Sequence, residues 1–485
     1  MLFNSFAFLI FLPIVFCLYW FVFNKSLQWQ NILLLAASYF FYGWWSWQFL
    51  IILFISTFLD FVYGLSVASS NKKKAKFFLW LSIINNLAFL GVFKYYNFFA
   101  LQIQQGVKMF GMHADPVLLN VVLPVGISFY TFHGMSYVFD IYNGRQKPKT
   151  NFIEYALFVS FFPILVAGPI ERAGHLLPQV AQRRQFNYSQ AADGCRLMLW
   201  GMFKKIIIAD SMAVFISNSF SDYNHTSAFS LLLAAIAFSF QVYGDFSGYS
   251  DIALGTAKLF GFELLSNFRF PYFSRDISEF WRRWHISLSS WFRDYLYIPM
   301  GGSKAGKLKT IRNVFIIFLV SGFWHGANWT FIVWGFIHAC CFLPLLLMNR
   351  NRRHTSDVVA SERTLPTFTE IWQIVATFSV VTIAWIFFRS SSLRRAGGYM
   401  LRIVTDAIEN PRQFLSLPPN AGLVIFCVLT LLLIDWWLRH DERKIRVSRY
   451  SIVNWFVYTI MSLLIFNAFL GYLIVKPGSF IYFQF

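Results

Sequence analysis

Charge is scarce in this sequence. Of its 485 residues, 13% are charged and 57% are hydrophobic, whereas an average soluble domain carries about 25% charged residues. Phe alone occurs 60 times, and aromatics make up 21% of the chain. That excludes an ordinary soluble protein, because surface area grows too fast with size for so much apolar surface to be hidden. A lipid-facing surface removes the difficulty. Apolar runs at 2–23, 49–70 and 452–475 approach the roughly 20 residues that a helical span needs.

Cysteine is also sparse: Cys17, Cys195, Cys340, Cys341 and Cys427. None sits in a C-x-x-C pair, so neither a disulfide framework nor a zinc or other metal site is expected. In or beside apolar segments such residues act as small hydrophobes. Segment 2–23 lacks a basic residue ahead of it and an A-x-A site behind it, so it reads as a retained span rather than a cleaved signal.

Acidic residues are few as well, 22 against 41 Lys and Arg, for a net charge of +19. Nucleic acid is not the implied partner, because the basic residues do not belong to a soluble domain. They cluster between apolar segments: Lys72–Lys74 with Lys76, Arg145/Lys147/Lys149, Arg183–Arg184, Arg282–Arg283, Lys304/Lys307/Lys309/Arg312, Arg350/Arg352/Arg353 and Arg439/Arg443/Lys444/Arg446. This is the positive-inside pattern of cytoplasmic loops. It also suits anionic lipid head groups or an anionic cytoplasmic ligand.

The expected architecture is an all-α polytopic membrane protein of about ten to twelve transmembrane helices, forming one integral membrane domain over 1–485. Two runs, 27–42 and 45–69, read as a hairpin; 77–98 and 118–141 read as further spans. Segment 152–170 is flanked by basic loops on both sides, and it holds Glu154, Pro163, Gly168 and Pro169. A single crossing there conflicts with the charge rule. A broken or re-entrant segment fits, since irregular backbone at membrane depth is tolerated where protein buries it or water lines it. Residues 171–205 alternate charged and apolar positions and look interfacial. Further spans are expected at 206–220, 228–243, 314–323, 330–348, 371–388, 423–438 and 452–475, with loops at 351–366 and 407–420. No internal repeat is visible, which weakens a proton-coupled transporter built from inverted halves.

Ionisable groups at membrane depth are costly and mark functional candidates. In Ser321-Gly-Phe-Trp-His-Gly-Ala-Asn-Trp329, His325 is the lone ionisable group between Arg312 and His338. An imidazole exchanges a proton near neutral pH; flanking Gly322, Gly326 and Ala327 suggest close approach of backbone or ligand. The plainer reading is a buried His with one hydrogen-bond partner. In 277–295, helical spacing puts Trp281, Trp284, His285 and Leu288 on one face, with Arg282 and Arg293 off it. That is an aromatic-anchored helix at the membrane boundary, with His285 facing inward and Arg282, Arg283 and Arg293 available to anionic groups. In 241–255, Asp245 and Asp251 border an apolar run, and Asp245 suits a cap for the following helix. No G-x-S-x-G elbow, H-E-x-x-H pair or Walker loop occurs.

These clusters, with Leu123-Pro-Val-Gly-Ile-Ser-Phe-Tyr130, Phe162-Pro-Ile-Leu-Val-Ala-Gly-Pro-Ile-Glu-Arg172, Tyr243-Gly-Asp-Phe-Ser-Gly-Tyr-Ser-Asp251, Phe280-Trp-Arg-Arg-Trp-His285, Tyr297-Ile-Pro-Met-Gly-Gly302 and Gly322-Phe-Trp-His-Gly326, resemble the membrane-bound O-acyltransferase family. The likeness is to its bacterial polysaccharide branch, which includes alginate O-acetyltransferase membrane subunits and the D-alanyl transfer protein of teichoic acid modification. It covers residues 1–390, with a family core over about 118–390. The resemblance implies a central funnel of helices. His325 takes the place of the family's catalytic histidine, and His285 that of a second histidine that is often Asn in eukaryotic members. It implies no permanently bound cofactor, acetyl-CoA as acyl donor in the cytoplasm, and an extracytoplasmic polysaccharide or a secreted hydrolase-like partner as acceptor, at a bacterial inner membrane. His325 would then take the hydroxyl proton as the hydroxyl attacks a thioester, and His285 would help stabilise the oxyanion. Asp245, Asp251, Trp281, Arg282, Arg283, Arg293 and Asn328 are the candidate substrate-binding residues. Alanyl transfer to a cell-wall polymer is the alternative within this chemistry.

Overall fold

The computed structural model describes all residues except 70, 113–114, 121, 167, 305, 356–357, 361–364, 410, 412–416, 444, 446–450 and 473–485. Ala167 of the broken segment, Lys444 and Arg446 of the last basic cluster, part of the loops at 351–366 and 407–420, and the end of the run 452–475 therefore lie outside the described residues. Every regular element among the described residues is helical. The chain divides into two compact units, Met1–Ala191 with Thr256–Leu265, and Ala192–Gly255 with Ser266–Phe485.

The first unit holds α1 (Phe6–Cys17), α2 (Leu27–Gly43), α3 (Trp47–Ser69), α4 (Lys72–Leu90), α5 (Tyr96–Met109), α6 (Ile127–Tyr142), α7 (Phe152–Ser160), α8 (Phe162–Leu165) and α9 (Ala173–Ala181). Short polar side chains, Ser5, Ser26, Asn71 and Asn151, start α1, α2, α4 and α7. Asn71 Oδ1 accepts from Lys74 N at 3.1 Å, and Asn151 Oδ1 accepts from Ile153 N at 2.9 Å, each satisfying an N–H that has no partner within the helix. A π-helical turn, Gly91–Tyr95, joins α4 to α5, so this helical run continues to Met109, beyond the expected end at 98. The expected span 118–141 is helical only from Ile127. Pro124 lacks a donor, and Gly126 adopts φ +75°, so the helix starts after them. The segment 152–170 is broken as expected: α7 ends where Phe161 turns extended, α8 starts across Pro163, and Phe162 N donates to Ser38 Oγ at 3.0 Å. Asp60 is buried in α3, accepting from Ser82 Oγ at 2.6 Å and Asn86 Nδ2 at 3.0 Å.

The second unit holds most of α10 (Tyr188–Met202), followed by α11 (Asp210–Ser221), α12 (Ala228–Leu259, whose last turn belongs to the first unit), α13 (Ile277–Arg283), α14 (Ile286–Phe292), α15 (Lys307–His325), α16 (Trp329–Leu347), α17 (Phe368–Arg389), α18 (Leu393–Glu409), α19 (Ala421–Leu438) and α20 (Ser451–Tyr472). Thr367 and Glu370 form a reciprocal capping box at the start of α17. Helices α15 and α16 pack backbone to backbone. A methyl group at Gly322 would collide with the Phe331 carbonyl, and one at Gly335 with the Phe318 carbonyl. Gly326 lies against the Phe331 ring. Of the two neighbours the sequence left open beside His325, backbone or ligand, the fold supplies the Phe331 backbone at Gly322 and the Phe331 ring at Gly326.

Seven helical runs among the described residues are long and apolar enough to cross a membrane: α3, α4 with α5, α12, α16, α17, α19 and α20. The protein is a multi-pass membrane protein. Other apolar segments expected to cross are shorter, as in 6–22, or carry a basic first turn, as in α15.

Candidate active site

The segment 277–293 is not the single helix its spacing suggests. Asp276 Oδ1 accepts from Glu279 N at 2.8 Å to start α13. The helix stops at Arg283; Trp284 is extended and His285 sits in the left-handed region at φ 44°. A non-glycine residue there is strained and persists only where its surroundings fix it. Asn267 supplies that hold. Its carbonyl accepts from Ile286 N at 2.9 Å, while its Oδ1 lies 3.0 Å from His285 Nδ1 and accepts from Ser287 Oγ at 3.0 Å. Trp284 is buried on Phe280, Trp385 and Phe268 at 5.0–5.5 Å between ring centroids. The break thus separates Trp284 from His285 instead of stacking them on one face.

Asn267 also fixes a proton. Its Nδ2 donates to Ser250 Oγ at 3.1 Å, which turns Oδ1 toward His285. In neutral His285, Nδ1 is then the donor and Nε2 carries the lone pair. So disposed, neutral His285 offers a base at Nε2 and not the oxyanion donor expected of it.

His325 ends α15 and is 4% exposed. Its ring packs on Trp324 at 4.9 Å, edge-on to Trp334 at 5.2 Å and to Phe388 at 5.3 Å. His285 reaches the same Trp324 indole from 6.1 Å. The fold therefore gathers two histidines 40 positions apart around one indole. Neighbouring Asn328 caps α16 through Thr330 N at 3.0 Å and donates to Ser391 O at 3.1 Å; its contacts are those of a cap.

A cavity of about 250 Å³ is lined by residues of the same two stretches, among them Leu288 and Ser321, but by neither histidine. Arg282, Arg293 and Arg352 border it, and Trp281, Phe318 and Ser321 line it. Ser321 is buried and one turn before His325, on the same side of α15. Arg282 is held by the Asn351 and His354 carbonyls at 2.5 and 2.9 Å, and the Arg293 side chain is 62% exposed. Arg283 differs. It is buried and paired with Glu279 at 2.7 Å, and Glu279 also takes Arg275 at 3.1 Å. Its charge faces this buried pair, and it is not among the residues that line the cavity. Arg352 and Ser321 were not singled out by the sequence pattern; Arg352 belonged to a basic cluster with nothing to separate it from its neighbours.

Asp245 and Asp251 stand within the long α12, not at a helix start, so Asp245 is no cap. Lys205 Nζ meets Asp245 and Asp210 at 2.8 Å each, and Lys204 Nζ meets Asp251 at 2.5 Å and Ser247 Oγ at 2.8 Å. Both lysines lie on a π-helical turn, Phe203–Ala209, whose wider backbone puts successive side chains on the α12 side. Buried charge is tolerated when paired in this way. A lysine pair inside an apolar run was the available signal for these partners.

The sequence pattern of the membrane-bound O-acyltransferase family matches residues 131–388. The chain is 40% identical over 400 residues to the probable alginate O-acetylase AlgI of Pseudomonas syringae pv. tomato, covering 82% of this chain and 74% of that one. It is 34% identical over 426 residues to the peptidoglycan O-acetyltransferase of Helicobacter pylori, covering 82% and 78%. With the teichoic acid D-alanyltransferase of Bacillus subtilis it shares 29% identity over 232 residues, covering 45% and 58%. The chain belongs to the membrane-bound O-acyltransferase family and is an O-acyltransferase.

Proposed function

We propose that this protein moves an acetyl group from acetyl-CoA in the cytoplasm to hydroxyls of an extracytoplasmic polysaccharide, directly or through a secreted partner, at the bacterial inner membrane. The observation that carries the reading is the arginine-bordered cavity whose lining includes Ser321, one helical turn from His325. Arginine offers paired donors that match phosphate geometry, so Arg282, Arg293 and Arg352 suit the phosphates of coenzyme A. The apolar wall of Trp281 and Phe318 suits its thioester arm.

His325 acts as the general base. As the acceptor hydroxyl oxygen bonds to the thioester carbon, its proton passes to the imidazole; the carbon–sulfur bond breaks, and the thiolate recovers the proton. A base so placed contributes about 10²–10⁴-fold. His285, its tautomer held by Asn267, is a second base near the same Trp324 indole. The names of the relatives favour acetyl over alanyl transfer, because the alanyl relative matches less of the chain. Purified protein given radiolabelled acetyl-CoA and a panel of polysaccharides tests the reading. Thioester cleavage that depends on His325 supports it, and donor cleavage absent with every acceptor and with water overturns it.

A further inference from the structure

Acyl transfer develops negative charge on the carbonyl oxygen, and that charge calls for donors placed in advance. Neutral His285, protonated at Nδ1 toward Asn267, presents a lone pair at Nε2. The donor must come from elsewhere.

A third histidine lies close by. His338, in α16, is 0% exposed. Trp281 and Trp334 meet its ring edge-on at 5.0 Å each, and the two indoles lie 5.5 Å apart. Phe280 and Phe318 lie parallel to it at 6.3 and 6.2 Å. Among the described residues, Trp281 Nε1, Trp334 Nε1 and both ring nitrogens of His338 have no hydrogen-bond partner. Four buried polar atoms in one aromatic cage are costly to leave unsatisfied. They mark a place where a polar atom of another molecule belongs. Two walls of the cage are shared: Trp281 and Phe318 also line the arginine-bordered cavity, and Trp334 also packs on His325.

We propose that the indole N–H groups of Trp281 and Trp334 and the imidazole of His338 bind the carbonyl oxygen of the donor thioester and stabilise the oxyanion formed on it. This inference rests on the thioester donor proposed above. In the step, the acceptor oxygen bonds to the carbonyl carbon and its proton goes to His325. The carbonyl electron pair moves onto the oxygen held in this cage, then returns as the thiolate leaves.

Two coenzyme A analogues test the assignment by binding alone. Acetyl-dethia-CoA, with methylene in place of sulfur, keeps the carbonyl; S-ethyl-CoA lacks it. The purified full chain binds the carbonyl analogue about three- to tenfold more tightly, the worth of a net hydrogen bond or two. Trp281→Phe and His338→Phe each lose that preference, read as the ratio of the two affinities within each variant. His338→Gln keeps a donor and retains the preference. In turnover, His338→Phe lowers kcat about 10²-fold, and the KM for acetyl-CoA rises by no more than the roughly three- to tenfold that the lost carbonyl contact accounts for. Equal binding of both analogues by the wild type overturns this inference alone, as does a preference that survives in both Phe variants. Failure of the wild type to bind either analogue overturns the donor proposal beneath it.

Discussion

Asn267 Oδ1 lies 3.0 Å from His285 Nδ1 and thereby sets which ring nitrogen holds the proton. The same side chain holds Ser287 at 3.0 Å, and the backbone beside it keeps His285 at positive φ. Asn267→Leu removes this hold. The variant should lose about 1–3 kcal/mol of stability, the cost of stranding buried polar groups, and turnover should fall with it. Thermal unfolding in detergent, paired with acetyl-CoA cleavage, checks both. Unchanged stability and turnover would show that Asn267 does not position His285.

The two adjacent arginines should behave differently. Arg282→Ala and Arg293→Ala should raise the KM for acetyl-CoA several-fold at low salt, and high salt should narrow the difference as screening weakens exposed charge. Arg283→Ala instead leaves Glu279 with less compensation in a buried site, and should destabilise the fold by about 3–5 kcal/mol. Initial-rate kinetics and thermal unfolding separate these outcomes. A KM effect at Arg283 without loss of stability would contradict the assignment.

Lys204 and Asp251 form a pair that is better removed whole than broken. Lys204→Met leaves Asp251 without its partner and should cost about 3–5 kcal/mol, whereas Lys204→Met with Asp251→Leu should recover much of that loss. A double-mutant cycle on unfolding temperature reads the coupling. Additive losses would mean that the 2.5 Å contact contributes nothing as a pair.

Much of this site was legible in the sequence, and the reasons differ by residue. His325 stood out because an apolar run isolates it, and Trp281 and the arginines because aromatic and basic residues alternate there. The break at His285 was not legible. It is imposed by Asn267, 18 positions away, against a local pattern that continues a helix. Likewise Asp245 reads as a cap from its neighbours, but its partner Lys205 is 40 positions earlier. Beside the glycines near His325 the sequence left backbone or ligand open, because spacing does not reveal what approaches them; Phe331 fills that space. The broken segment 152–170 was legible because proline and charge asymmetry both act locally.

Loop orientation follows from charge asymmetry. Single cysteines placed at Lys72–Lys76 and at Lys304–Arg312, in a chain freed of its five native cysteines, should resist an impermeant thiol reagent in intact cells and react after permeabilisation. Labelling of Lys304–Arg312 from outside would reverse the orientation and move the arginine-bordered cavity away from the cytoplasmic donor.

The central claim is that His325 is the base. His325→Gln keeps hydrogen-bonding capacity in nearly the same volume but cannot accept a proton near neutral pH. The direct measurement is acetyl transfer from acetyl-CoA by the purified Gln variant, with unfolding temperature and donor affinity measured on the same sample. The account predicts a loss of about 10²–10⁴-fold in turnover with unfolding temperature and donor affinity close to wild type. A Gln variant that keeps most of its activity would make His325 a structural hydrogen-bonding residue and contradict the mechanism.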